Sequence, residues 1–275
     1  MGAATIAVAC GVDVIGERVV IIPVDATPDV EPSLPPKPDG APPVDAGDAA
    51  KPDCPEGLSG PRLVPVPGSD FCIDTTEVSN AQYNEFLSAT NGGRLDAGIP
   101  EGGLPPRCNA ARGFDRAVGA LPEGGPPAHP VTYVSWCAAY AYCAWAGKRL
   151  CGNVVARDAG SGDWYEACSD HGKHVYPYGD VHEPQACNDE NVVGDLEPVG
   201  SRPTCEGGVP GLFDMAGNVI EWIDDCDGPG DASLCAIVGG FHSSPAILST
   251  CRQTADYPVN GSSGVVGFRC CTDRP

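Results

Sequence analysis

Apolar and polar positions alternate in FCIDTTEV, residues 71–78, the spacing of a strand with one buried face. The period then changes. In SNAQYNEFLSATNGG, Tyr83, Phe86 and Leu87 fall on one face of a helix, Ser79 and Gln82 have the spacing of a capping box, and Gly92 follows as a stop. A second helix is predicted from Ser135 to Gly147, where Trp136, Tyr140, Cys143 and Ala144 recur at helical intervals as a core stripe. A short third helix is predicted over Asp163–Cys168, in SGDWYEAC. From 169 to 275 helical periodicity ends, and short apolar runs such as AIVGGF and VVGFRCC read as brief strands between loops rich in Gly, Pro, Asn and Asp. The pattern is that of an α+β domain with much loop. It contains no internal repeat and no run of about 18 apolar residues of the kind that spans a bilayer.

The first 53 residues follow another pattern. Residues 24–53 carry eight prolines, many acids and no aromatic side chain, so they read as an extended, solvated linker. Before it, residues 1–23 form a separate segment in which MGAATIAVA precedes Cys10, like the tail of a lipoprotein signal whose cysteine is acylated after cleavage. A β-prone segment built on VVII, residues 19–22, is the competing reading. Composition shifts at Cys54, and 54–275 holds every tryptophan and tyrosine, as expected of one domain.

Charge and cysteine content narrow the partners and the compartment. Sixteen basic against 37 acidic residues give a formal charge of −21, which repels nucleic acid and anionic lipid and attracts cations. Membrane association is expected only through a lipid on Cys10. The chain has 15 cysteines and no C-x-x-C pair, which argues for disulfides in an oxidising, exported setting rather than zinc-binding thiolates. Setting Cys10 apart leaves fourteen, enough for seven disulfides.

In chain order, IDTTEVSNAQYNEF, HPVTYVSWCAAYAYCAWAGKRL, WYEAC, YPYGD, PVGS, GLFDMAGNVIEW, VGGF and GFRC resemble the formylglycine-generating enzyme, or sulfatase-modifying factor, family. The resemblance covers residues 54–271 and implies a loop-rich, disulfide-crosslinked variant of the C-type lectin fold with bound calcium. It implies that Cys143 pairs with Cys270 and Cys168 with Cys251. Nearness in sequence suggests Cys226 with Cys235 and Cys54 with Cys72, and the other pairings stay open.

Calcium takes six to eight oxygens from carboxylates and carbonyls on a loop that bends around the ion. GLFDMAGNVIEW offers the Asp214 and Glu221 carboxylates and the backbone carbonyls of Gly217 and Val219, the four positions that the resemblance assigns to calcium. Without that resemblance, Asp214 would read as a turn cap, Glu221 as a solvated acid and Trp222 as core. A second calcium site is implied at Asn188, with Asp189 and Asp195 as conceivable partners.

The enzymes of this family oxidise a client cysteine with oxygen and a copper ion held by two thiolates. Soft thiolates suit monovalent copper, and hydroxyls do not replace them. In the corresponding loop, between Gly240 and Cys251, this chain reads FHSSPAILST with no cysteine, so copper is not expected. Phe241 and Ile220 also stand where the family has Ser and Trp. Of the five histidines, at 129, 171, 174, 182 and 242, only His171 and His174 are close in sequence, and HGKH reads as a polar loop rather than a metal pair. His242 beside Ser243 and Ser244 has the residue types of a nucleophilic site but needs geometry that a sequence does not give.

Two function classes follow. One is a non-catalytic, calcium-stabilised domain on an acidic tether at a bacterial envelope, recognising a protein, peptide or glycan through Phe241, His242, Ser243 and Ser244. The other is a formylglycine-generating oxidoreductase with atypical ligands, which requires Cys235 or Cys271 as a free thiol.

Overall fold

The computed structural model describes residues 54–92, 104–108, 114, 125–152 and 161–275. Cys10, the VVII segment and the linker lie outside the described residues.

Helix α1, Asn80–Ala89, starts at Ser79, whose hydroxyl accepts from the Gln82 N–H while the Gln82 side chain accepts from the Ser79 N–H. This capping box satisfies donors that a helix start leaves open. Helix α2, Trp136–Trp145, is capped by Ser135 and is apolar almost all round, so it lies within the core. Tyr83 and Phe86 of α1 pack on Tyr142 of α2, with ring centroids 5.7 Å apart in both pairs, and Phe268 closes the cluster at 5.3 Å from Tyr142. The third helix, α3, covers Asp163–Ser169.

Strands β1 (Leu63–Pro65), β2 (Phe71–Asp74) and β3 (Arg149–Leu150) join β10 (Cys270–Asp273) in a sheet of order β1-β2-β10-β3. The alternating stretch at 71–78 thus yields a strand only to Asp74. A β4–β5 hairpin, Glu206–Gly207 with Val209–Phe213, leads into the second four-stranded sheet. Its strands are β6 (Ile220–Cys226), β7 (Leu234–Val238), β8 (Thr254–Pro258) and β9 (Val266–Phe268), in the order β8-β7-β6-β9. β6 and β9 run parallel while the other pairs are antiparallel. Three buried tryptophans fasten the layers: Trp136 Nε1 donates to the Ile223 carbonyl, Trp222 Nε1 to the Val134 carbonyl and Trp164 Nε1 to Glu221 Oε2.

All fourteen cysteines from Cys54 onward are paired, forming seven disulfides. Cys143–Cys270, Cys168–Cys251, Cys226–Cys235 and Cys54–Cys72 are joined by Cys108–Cys137, Cys151–Cys271 and Cys187–Cys205. Cys235 and Cys271, the thiols on which the oxidoreductase alternative depended, are therefore both bonded, because β7 pairs directly with β6 and β10 passes Cys151. Such crosslinking suits an oxidising, exported environment. The three bridges that close 83 to 127 residues restrict the unfolded chain most.

The Asp74–Lys148 ion pair lies entirely within the core. Asp74 accepts from Lys148 Nζ at 2.6 Å and from the Cys270 N–H at 2.9 Å, tying β2 to β10 and to the end of α2. Burial pushes the Asp74 carboxyl up from 3.8 to about 6, against the pull of Lys148. A carboxyl whose folded value is raised contributes stability fully below its unfolded value of 3.8 and loses it as pH rises through about 6. Replacing the pair together, Asp74→Asn with Lys148→Met, should flatten the fall in Tm between about pH 4 and pH 7. A slope equal to that of the parent protein would show that the buried pair does not titrate.

Candidate functional site

The loop Asp214–Val219 connects β5 to β6 and is bent tightly. Asp214 and Asn218 have φ of 58° and 55°, in a region that costs energy for residues with a side chain. Gly217, at φ 75°, brings the backbone so near the Asn188 carbonyl that a Cβ would overlap it. The Asp214 loop and the Asn188 segment therefore touch. Asn218 fastens them: its N–H donates to the Asn188 carbonyl, and its Oδ1 accepts from Asn188 Nδ2 and the Glu197 N–H. Its Nδ2 donates to Glu77 Oε1 at 2.8 Å.

Beneath this loop lies a group of buried charges that periodicity does not reveal. Glu77, Asp214, Glu221 and Arg269 are all at most 5% exposed. Glu221 is not the solvated acid of the simplest sequence reading: Arg269 Nε and Nη2 hold both of its oxygens at 2.7 to 3.0 Å, and Trp164 donates to one of them. Asp214 Oδ2 accepts from the Gly200 N–H at 2.6 Å. Glu77 Oε2 has no partner among the described residues. Burial, followed by repulsion from Asp214 and Glu221, holds Glu77 well above the usual carboxylate range, and burial also raises Asp214.

Three carboxyls thus face one guanidinium. The excess acid is neutralised either by protons or by a cation, and the buried Glu77 Oε2, without a protein partner, is a donor of the kind that a hard cation takes. The residues fit calcium in donor type and charge. Glu221 would offer such a site only oxygens already shared with Arg269 and Trp164.

The second expected site is only partly assembled. Asn188 Oδ1 is buried and unpartnered, and Asn188 Nδ2 donates to the Asp195 carbonyl at 3.0 Å. Asp195 is thus brought to Asn188 through its backbone. The Asp189 carboxylate is instead engaged by His182 Nε2 at 3.1 Å.

The loop after Gly240 is held against the same segments. Phe241 N–H donates to Ser244 Oγ, His242 N–H to the Asn218 carbonyl, Glu190 N–H to the Ser244 carbonyl, and Asn191 N–H to the His242 carbonyl. Ser244 is buried as the cap of this turn, while Phe241, His242 and Ser243 are half-buried and Ile247 is 72% exposed. No Ser–His hydrogen bond forms among the described residues here, and His242 Nδ1 is unpartnered. Burial lowers the His242 pKa, keeping the imidazole neutral near pH 7. His171 and His174 are not brought to one ion: the first meets the Pro67 carbonyl and Glu166, the second Asp180.

A family model described as the sulfatase-modifying factor enzyme 1-like domain matches residues 58–274. The formylglycine-generating enzyme of Mus musculus is 27% identical over 273 residues, covering 80% of this chain and 70% of that protein. The enzyme of Streptomyces coelicolor is 30% identical over 258 residues, covering 74% and 78% respectively. A hercynine oxygenase of Mycolicibacterium thermoresistibile is 31% identical across 58% of this chain and 36% of its own length. Among solved structures, CarF aligns at a TM-score of 0.51 with 19% identity, covering 82% of this chain and 96% of CarF. PvdO from Pseudomonas aeruginosa aligns at 0.50 with 22% identity, over 74% and 80%. The fold is the formylglycine-generating-enzyme-like variant of the C-type lectin fold, α+β, loop-rich and disulfide-crosslinked.

Glu77, Asn218 and Arg269 were not singled out from the sequence, although each stands in a quoted motif. Breaking the buried pair with Arg269→Met should cost about 3–5 kcal/mol in urea unfolding, because Glu221 is left buried and unpaired. Adding Glu221→Gln to Arg269→Met should recover part of that loss, and a double variant no more stable than the single one would refute the assignment.

Proposed function

The chain belongs to the sulfatase-modifying factor family, and from that premise we propose that it is a non-catalytic recognition domain stabilised by calcium. One observation carries the reading: the loop that holds the thiolate pair in the enzymes has no cysteine here, and every cysteine of the domain is already in a disulfide. A copper site needs soft ligands that this scaffold no longer offers. Its oxygen donors are retained. Asp214, Gly217, Val219 and Glu221 are the proposed calcium ligands, and Asn188 the start of a second set.

The recognition surface is the loop Phe241–Leu248, which presents a half-buried aromatic ring, a neutral imidazole, a hydroxyl and the exposed Ile247 on a scaffold fixed by disulfides. Its ligand is a protein, peptide or glycan segment. The acidic, proline-rich linker and Cys10 suit display from a bacterial envelope, with the lipid on Cys10 as the attachment.

The test compares Tm in chelator and in calcium, with a thiol titration under denaturing conditions and an aldehyde assay on a sulfatase-type cysteine peptide. Calcium should raise the Tm of the parent protein, and Asp214→Ala should shrink that rise. The loss of the Gly200 contact occurs in both media and cancels. Without reductant, at most one thiol per chain should titrate, and no aldehyde should form in the presence of copper. A Tm indifferent to calcium overturns the calcium assignment, and turnover of the peptide overturns the non-catalytic one.

A further inference from the structure

We propose that His182, Asp189 and Glu190 form a binding site for a divalent transition cation of the zinc type, separate from the oxygen-only sites at Asp214 and Asn188. The ligating atoms of these three residues all lie within 4.8 Å of one another. His182 Nε2 and Asp189 Oδ2 are 3.1 Å apart, close to the edge of about 3.3 Å that bonds of 2.0–2.1 Å give a tetrahedral ion. Glu190 is exposed and has the freedom to complete the third bond.

A simple His–Asp pair does not account for the geometry. Asp189 is 1% exposed, and only one of its oxygens accepts from His182; Oδ1 is buried without a partner. No lysine or arginine pairs with Asp189 or Glu190 among the described residues. A buried carboxylate left with an uncovered oxygen is costly unless something else coordinates it. The backbone also presents the two acids in a fixed way. Glu190 and Asn191 have φ of 49° and 59°, and the Glu190 N–H is held by the Ser244 carbonyl. Tyr176 packs on the imidazole with ring centroids 5.4 Å apart, limiting its rotation.

The donor set decides the ion class. Calcium takes oxygens alone, whereas one imidazole with two carboxylates suits zinc and its neighbours and leaves a coordination position for water or a ligand group. Glu190 Oε1 also lies 3.4 Å from the Ala246 N–H, so an ion here sits beside the loop Phe241–Leu248. The inference does not depend on the recognition reading.

The experiment uses the full chain, stripped with chelator and then saturated with calcium so that the oxygen sites are filled. Zinc is titrated in competition with a chromophoric chelator, and cobalt is added separately to read visible absorption. The parent protein should bind one zinc per chain with a rise in Tm, and cobalt should give an N/O-ligand spectrum. His182→Gln, Asp189→Asn and Glu190→Gln should each weaken zinc at least tenfold and abolish the cobalt band, whereas His174→Gln should change neither. Glu190 is exposed, so Glu190→Gln tests the site even if the buried variants unfold, and Tm in chelator identifies which fold. Absence of stoichiometric zinc, equal affinity in Glu190→Gln, or loss of binding in His174→Gln would overturn the proposal. The calcium response of Tm, measured in the same samples without zinc, reports on the other reading separately.

Discussion

A guanidinium removed from water requires acceptors for its N–H groups, and the domain is organised around one whose three nitrogens all find them. Arg269 is fully buried and donates to both Glu221 oxygens and to the carbonyls of Asp74, Phe213 and Asp214. These acceptors come from β2, from the end of β5 and the turn that follows it, and from β6. A lysine, with a point charge on a flexible stem, would not serve these directions together. The next two residues extend the same function covalently, because Cys270 bonds Cys143 within α2 and Cys271 bonds Cys151 just after β3. Residues 269–271 thus close a structure whose parts lie up to 198 positions apart in the chain, the span of the Cys271–Ile73 pairing.

That arrangement explains which features were legible in the sequence. Local rules suffice for α1, where Ser79 and Gln82 cap the helix and the tyrosine and phenylalanine face inward, and also for the extents of α2 and α3. The brief strands after 168 could be anticipated individually but not in their order, since β9 pairs parallel to β6 across intervening β7 and β8. Two long disulfides were implied by family resemblance. Cys108–Cys137, Cys151–Cys271 and Cys187–Cys205 were left open, and only the fold brings them together.

The charges at the site were the least legible feature. An aspartate or glutamate in a loop usually lies in solvent, so beyond the resemblance that groups Asp214 with Glu221 the sequence gives no reason to bury them or to add Glu77. Their burial depends on an arginine 192 positions beyond Glu77 and on Asn218, which bridges two loops that are distant in sequence. Asp189 shows the converse case. It was a conceivable partner of Asn188, but the chain turns through two left-handed residues immediately afterwards and its carboxylate meets His182.

The loop Phe241–Leu248 remains ordered without the cysteine pair of the enzymes for a reason visible in its hydrogen bonds. Its backbone is pinned at His242 by Asn218 and Asn191, at Ser244 by Glu190, and internally by Ser244 Oγ on the Phe241 N–H. The partners 190, 191 and 218 belong to the segments that carry the proposed ion sites, so the shape of the loop depends on how the acids behind it are neutralised. Repulsion among uncompensated acids would act directly on the turns at 190–191 and 214–218, which support the loop. An ion held at the proposed sites would therefore act on the loop through a few backbone hydrogen bonds.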